Sequence, residues 1–329
     1  MSKFKTDVIC VVGMHRSGTS MVAQLLHQCG LYLGREDQLL GANSGNQDGH
    51  FEHLGFFTIN EALLRHFGGS WDFPPELEPG WEAHASLAEL RGSARSLLGT
   101  FSGNSPWGWK EPRTTLLLPF WRSMIPHLRF VICVRSPLEV AKSLAKRNKI
   151  PIERGVHLWY RYLRAAIEDT GGCSRMIVFY DDFFAEPAAV IHRLIDFCGS
   201  EKPTDASVIV AGIRGDLRHQ RSAMAEILGA TSVSAEYKLL YLGLRALSIR
   251  QAASPESDHD LAEDADQILR VLDEFHDRER LAQLQSELAQ KDYELSKLRS
   301  EVLNDAKANH RWAYRFYRNF IKPFRLRQS

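Results

Sequence analysis

Between Asp7 and Val12 the chain is an apolar, β-branched run, and after it Val22, Leu25, Leu26 and Cys29 recur on one helical face. The pattern predicts a buried strand followed by a helix. The same order returns at WGWKEPRTTLLLPFW (107–121), where a short strand passes through Pro112 into an apolar helix, and at RFVICVRSPLEVAKSLAKR (129–147). It returns once more where SRMIVFYDD leads into EPAAVIHRLIDFCG (186–199). Further helices are predicted over 56–67, 83–100 and 151–170. Repeated strand–helix units predict an α/β domain over residues 1–250, with three α/β/α layers and a central parallel sheet.

Near residue 251 the pattern changes. QAASPESDHDLAEDAD is acidic and turn-rich, and it opens an acidic linker or helix over 251–280. From Leu281 a heptad register places Leu281, Leu284, Leu288, Leu295, Leu298 and Val302 at a and d, with Lys291 interrupting one d position. This predicts a C-terminal helical extension with a short coiled coil over 281–305, and a homodimer through it; a single amphipathic helix packed on the domain fits the same stripe. Residues 306–329 hold seven Lys and Arg, no acid, and the aromatics Trp312, Tyr314, Phe316, Tyr317, Phe320 and Phe324. Such a tail is expected to make peripheral contact with an anionic membrane surface. No recognition fold accompanies it, so nucleic acid is not an expected partner.

Composition narrows the class. With 44% hydrophobic and 25% charged residues in 329, the chain reads as a soluble globular protein, and a net charge of +1 selects no partner. The cysteines Cys10, Cys29, Cys133, Cys173 and Cys198 are odd in number, scattered, and mostly set in apolar runs without metal-ligand spacing. Buried free thiols in a reducing compartment are expected, with no metal site. MSKFKTD enters the first strand without a signal-like apolar region, and no apolar run is long enough to span a bilayer. The expected location is cytoplasmic, peripheral at the inner membrane.

The candidate chemistry lies at the strand ends. Gly13-Met14-His15-Arg16-Ser17-Gly18-Thr19-Ser20 has Walker A spacing, but Thr19 stands where the lysine belongs. Its glycines let backbone N–H groups converge on an anion at a helix N-terminus, with Arg16 as the available cation. An ordinary NTPase is disfavoured. Lys110 and Arg113 fall at the second strand-to-helix junction, where open α/β sheets place ligands. Ser136, Pro137 and Glu139 form a capping box with proline at N1, which puts Arg135 at a strand end and Ser143 about two turns into the helix. Arg135 can therefore supply a charge-assisted bond to a second phosphate. A Gly- and Asn-rich loop over 34–56 gathers Asp48, His50, Glu52 and His53, and LRHQR (217–221) is a basic cluster on a loop. Trp71 and Trp81, in a Pro-bearing loop, fit either closure of a pocket or lids on the core, and the structural role is the favoured expectation.

With GMHRSGTS, WKEPR, VRSPLEVAKS and YDDFFAEP in this order, about residues 6–221 resemble the sulfotransferases that use 3′-phosphoadenosine 5′-phosphosulfate (PAPS), especially bacterial ones. The resemblance implies a P-loop-like fold and donor 5′-phosphosulfate contacts from Arg16, Ser17, Gly18, Thr19 and Ser20. It also implies 3′-phosphate contacts from Arg135 and Ser143, a further one from Arg218, and Tyr180 near the donor. Lys110 matches a family lysine that stabilises charge on the moving sulfonyl group. The implied catalytic set is Lys110, Glu52 and Arg16, with Glu52 as acceptor base and His50 and His53 as alternatives. Some relatives carry a histidine just after the matching lysine; here Glu111 and Pro112 stand there. The implied reaction moves a sulfonyl group from PAPS, without metal, to a hydroxyl of a carbohydrate acceptor, expected to be a cell-envelope glycan. The rival expectations are a P-loop kinase or NTPase with an altered Walker A loop, and a catalytically inactive head on a coiled-coil scaffold.

Overall fold

The structure is a computed structural model that describes residues 8–41, 51–199, 205–211, 213, 222–253 and 258–309. It opens with strand β1 (Val8–Gly13) and helices α1 (Thr19–Gln28), α2 (Leu54–His66) and α3 (Ala88–Gly99). There follow β2 (Trp107–Lys110), α4 (Leu118–Arg122), β3 (Leu128–Val134), α5 (Pro137–Asn148), α6 (Ile152–Asp169) and β4 (Arg175–Phe179). Helices α7 (Asp182–Ala185), α8 (Pro187–Cys198), α9 (Ala206–Ala211), α10 (Met224–Gly229), α11 (Ala235–Ala253) and α12 (Asp258–Asn309) complete the order.

The sheet has the order β2-β1-β3-β4, and every pairing is parallel. Parallel strands need covering on both faces, and the alternation along β1 supplies it. Val8, Cys10 and Val12 join one core with side chains such as Phe56 of α2, Trp121 of α4 and Trp159 of α6. Ile9 and Val11 join the other, with Val22 and Leu26 of α1 and Ile191 and Leu194 of α8. These are the three expected layers.

Register decides where the chemistry gathers. Val11 lies beside Lys110, and Gly13 lies beside Cys133, two residues before Arg135. The loop after β1, the end of β2 and the end of β3 therefore emerge side by side. At the far edge, α11 covers β4 with side chains: the Gln251 amide donates to Arg175 O (2.5 Å) and accepts from Ile177 N (2.9 Å). This occupies ladder groups that would otherwise be open on an edge strand.

Three local details differ from the pattern reading. Residues 112–121 are not one helix: Pro112–Leu116 is a 3₁₀ turn, and Leu117, at φ −125°, separates it from α4. The turn is held by its own threonines, since Thr114 Oγ1 accepts from Trp109 Nε1 (3.1 Å) and Thr115 Oγ1 accepts from Gly13 N (2.9 Å). Two short 3₁₀ turns precede α3, which delays its start to Ala88. Ser136 caps α5 as expected, but Glu139 does not complete the capping box; its carboxylate accepts from Arg135 Nε (2.8 Å) and Ser222 N (2.8 Å).

By contacts the chain divides into two compact units, Met1–Leu272 and Asp273–Ser329. Within the first, Ala265 and Leu272 of α12 are buried. Within the second, the helix continues to Asn309, and Leu281, Leu284, Leu288, Leu295, Leu298 and Val302 are each 50–66% exposed. Among the described residues no helix is long and apolar enough to cross a membrane. The basic, aromatic stretch beyond Asn309 lies outside the described residues.

Candidate active site

The loop after β1 is shaped by three residues with positive φ. Gly13 (φ +140°) lies so close to β3 that a Cβ would sit 2.6 Å from Cys133 O. Arg16 adopts φ +71°, a left-handed conformation that costs a non-glycine residue about 1–3 kcal/mol. Gly18 (φ +89°) caps α1 and makes no side-chain bond to the first turn, which leaves those N–H groups for an anion. The hydroxyl of Ser17 is buried without a hydrogen-bond partner, and the loop's donor set therefore fits an oxyanion. Thr19 is buried, and Ser20 is half-buried beside Lys110.

A second group joins the loop to the end of β3. Arg16 Nε donates to Ser143 Oγ (2.9 Å), and Arg135 Nη1 donates to Arg16 O (3.2 Å). Glu139 accepts from Arg135 Nε at 2.8 Å while the guanidinium lies 4.2 Å from the centre of the Tyr180 ring. Tyr180 also abuts Gly18, where an added Cβ would be 2.4 Å from Cδ2. Arg16, Ser143, Arg135 and Tyr180, distant in sequence, are thus one cluster. Burial, then the like charges of Arg147 and Arg135, lower the pKa of Arg16, so an arriving anion would relieve this crowding. Arg218 lies outside the described residues.

The end of β2 supplies the third group. Lys110 Nζ donates to Glu52 Oε1 at 2.6 Å and to Ser20 Oγ at 3.1 Å, and lysine and glutamate are both buried. Burial lowers the Lys110 pKa, and the Glu52 carboxylate opposes that shift. Beneath them Glu111 is fully buried, accepting from Arg113 Nη1 (2.5 Å) and Asn60 Nδ2 (2.7 Å), while Trp121 Nε1 donates to Asn60 Oδ1 (2.9 Å). Arg113 also pairs with Glu61; burial alone would lower its pKa, but Glu111 and Glu61 outweigh it and raise it. The residue after Lys110 is therefore a structural anchor, and Arg113 is a neutralised cation.

His53 serves the helix behind the cleft. Its Nδ1 caps α2 by accepting from Gly55 N (3.1 Å), and its ring packs near Phe56 and Phe101. Asp48 and His50 lie outside the described residues. The cleft in front of Glu52 has a volume of about 310 Å³ and reaches Trp71 and Arg147. Trp81 is buried as a core lid, whereas Trp71 is half-buried and lines the cleft, with its ring 4.6 Å from that of His15. Sequence reading passed over His15 and Arg147. The signals were an imidazole inside the anion loop and an arginine one turn after Ser143 on the same helix.

A glycine-shaped loop, a buried lysine–carboxylate pair and an arginine–serine cluster thus meet at the strand ends of a parallel sheet. The chain belongs to the sulfotransferase family, whose model matches residues 8–204. Among solved structures it is similar to sulfotransferase STF9 from Mycobacterium avium, with 12% identity, a TM-score of 0.39, and 64% of this chain and 68% of that one covered. It is similar to the sulfotransferase domain of the Synechococcus olefin synthase, with 18% identity, a TM-score of 0.39, and coverage of 75% and 96%. A third similar structure is retinol dehydratase in complex with androsterone and inactive cofactor PAP, with 14% identity, a TM-score of 0.33, and 80% of each chain covered. No curated protein matches the sequence.

Proposed function

We propose that this sulfotransferase transfers the sulfonyl group of PAPS to a hydroxyl of a carbohydrate acceptor, a cell-envelope glycan. The observation that carries the reading is the Lys110–Glu52 pair, 2.6 Å apart at the mouth of an anion loop. Ser17, Gly18, Thr19 and Ser20 would bind the 5′-phosphosulfate with Arg16, and Arg135, Ser143 and Tyr180 the 3′-phosphate end. Arg218 remains assigned to the same phosphate on the family resemblance.

In the reaction the acceptor oxygen forms a bond to sulfur while the bond from sulfur to the bridging phosphate oxygen breaks. Glu52 receives the hydroxyl proton, and adenosine 3′,5′-bisphosphate leaves. Lys110, Arg16 and the loop N–H groups face the negative charge that develops on the bridging oxygen and the sulfonyl group. Positioning and electrostatics supply most of the acceleration, as in phosphoryl transfer. The decisive experiment is transfer of labelled sulfate from PAPS to envelope glycans, with mass spectrometry of the product. In parallel, adenosine 3′,5′-bisphosphate without metal should raise Tm. A rise only with ATP and magnesium would favour a nucleotide kinase reading instead.

The same reading places the enzyme on the cytoplasmic face of the membrane, dimeric through the exposed apolar stripe of α12 and attached through residues 306–329. Sedimentation of wild type and Leu288→Glu tests the dimer, and fractionation after truncation at Asp305 tests the attachment. Equal mass in the first case, or unchanged membrane association in the second, removes that part of the proposal.

A further inference from the structure

The cleft continues past the reacting pair. Arg16, Thr19, Ser20 and Glu52 line it, as do Trp71, Arg147 and Asn148, whereas Arg135, Ser143 and Tyr180 are not among its lining residues. The cleft therefore joins the loop residues Arg16, Thr19 and Ser20 and the carboxylate of Glu52 to Trp71 and Arg147, without Arg135, Ser143 or Tyr180.

The aromatic wall is fixed in advance. Tyr162 Oη donates to Trp71 O (2.8 Å), Arg154 donates to Asp72 O (2.8 Å), and Arg161 holds both Glu76 (2.5 Å) and Pro75 O (3.3 Å). All three donors stand on α6, so the loop bearing Trp71 is tied to a core helix. A wall ordered before binding spares the entropy of ordering it, and an indole face suits a flat ring or the C–H face of a sugar.

Charge then selects among such rings. The charged side chains lining the cleft, among the described residues, are Arg16, Glu52, Arg113 and Arg147. Glu52 is neutralised by Lys110, Arg113 by Glu61 and Glu111, and Arg16 is bonded to Ser143. Arg147 is exposed and has no carboxylate partner among the described residues. Its charge adds to a local surplus: burial, then Arg113, Lys110, Arg16 and Arg147, hold the His15 pKa well below the usual imidazole range. The His15 ring is therefore neutral, and its Nε2 is shielded without a hydrogen-bond partner. Among the described residues the one carboxylate lining the cleft, Glu52, is paired with Lys110, so none of these residues offers an ammonium group a carboxylate of its own. An anion beside the ring would gain a charge-assisted bond from Arg147 in a partly enclosed site.

We infer that the acceptor is a ring-bearing hydroxyl compound that also carries an anionic group, with the ring against Trp71 and the anion on Arg147. The inference rests on the sulfotransfer reading and deepens it by naming the acceptor's chemistry. Its test is a matched trio of oligosaccharides: one bearing uronic acid, its carboxyl-reduced neutral counterpart, and a phosphorylated counterpart. Labelled PAPS is the donor for wild type, Arg147→Gln and Arg147→Lys, and calorimetry with adenosine 3′,5′-bisphosphate accompanies each.

Wild type is expected to use at least one anionic member with kcat/KM about tenfold or more above the neutral one, and the better of the two identifies the anion. Arg147→Gln should abolish that preference through KM, Arg147→Lys should retain part of it, and product-nucleotide affinity should stay within about twofold. Equal use of all three members by wild type overturns the inference, as does a preference that survives Arg147→Gln. Loss of nucleotide affinity in Arg147→Gln also overturns it, by moving Arg147 to the donor side. Nucleotide binding with no label on any member overturns the inference and leaves donor recognition standing. Absence of both nucleotide binding and label in wild type overturns the sulfotransfer reading itself.

Discussion

Arg16 Nε donates to Ser143 Oγ over 2.9 Å, which joins the loop after β1 to the helix after β3 across 127 positions of sequence. Arg135 closes the same arrangement from the end of β3, through the carbonyl of Arg16 and the face of Tyr180. The two stretches that the sequence marks as anion sites thus share side-chain contacts and should respond to one ligand.

Substitution of Arg135 and Ser143 tests that sharing. Arg135→Ala should weaken binding of adenosine 3′,5′-bisphosphate by about 1.5–3 kcal/mol, and Ser143→Ala by about 1 kcal/mol. Calorimetry reads both. Wild-type affinity in Arg135→Ala would remove it from the donor site.

Lys110 and Glu52 should separate stability from turnover. Lys110→Ala removes the ammonium that the buried Glu52 accepts from, at a cost of about 3–5 kcal/mol in stability, and lowers kcat ~10²–10³-fold with a much smaller effect on donor affinity. Adding Glu52→Gln removes the buried negative charge. The double variant should regain most of the lost Tm and none of the lost kcat, since Glu52 is itself the proposed base; recovery of turnover would remove both residues from the catalytic set.

Gly18 is constrained from two directions. Its φ of +89° disfavours any Cβ, and that Cβ would stand 2.4 Å from Tyr180. Gly18→Ala should cost about 1–3 kcal/mol and reduce nucleotide affinity, because both the helix N-terminus and Tyr180 must shift. Pairing it with Tyr180→Ala should restore part of the Tm by removing the collision. Thermal melts and calorimetry on the two variants give the comparison.

Asp169 gives a pH signature away from the site. Burial, reinforced by Glu168 and opposed by Arg122, pushes its carboxyl up to about 7 from an ordinary 3.8. Between those values the folded chain holds a proton that the unfolded chain has released, so this carboxyl's contribution falls as pH rises from about 4 to 7 and stays unfavourable above that. Asp169→Asn should raise Tm by ~3–6 °C more at pH 8 than at pH 4, a range that allows for the residue's partial exposure. An equal change at both pH values would show that the carboxyl does not titrate in this window.

Much of this protein was legible in local pattern. Apolar, β-branched runs and helical periodicity predicted the alternating strands and helices, because a strand buried on both faces is apolar throughout and a helix buried on one face repeats at fixed spacing. The loop at Gly13–Ser20 and the strand-end position of Lys110 and Arg135 could be read the same way, since glycine placement and strand boundaries are local properties. Distance in sequence hid the rest. Neither the pairing of Lys110 with Glu52, nor the use of Glu139 to hold Arg135 instead of completing its cap, follows from spacing. The same holds for Trp71, which packs at the margin of the core and also lines the cleft, where Tyr162 and His15 hold it. By itself the sequence determined the layers, the anion loop and the cations at the strand ends. Only the tertiary structure decided which charges neutralise one another and which remain for a ligand, because that depends on parallel register and burial, both of which join residues far apart in the chain.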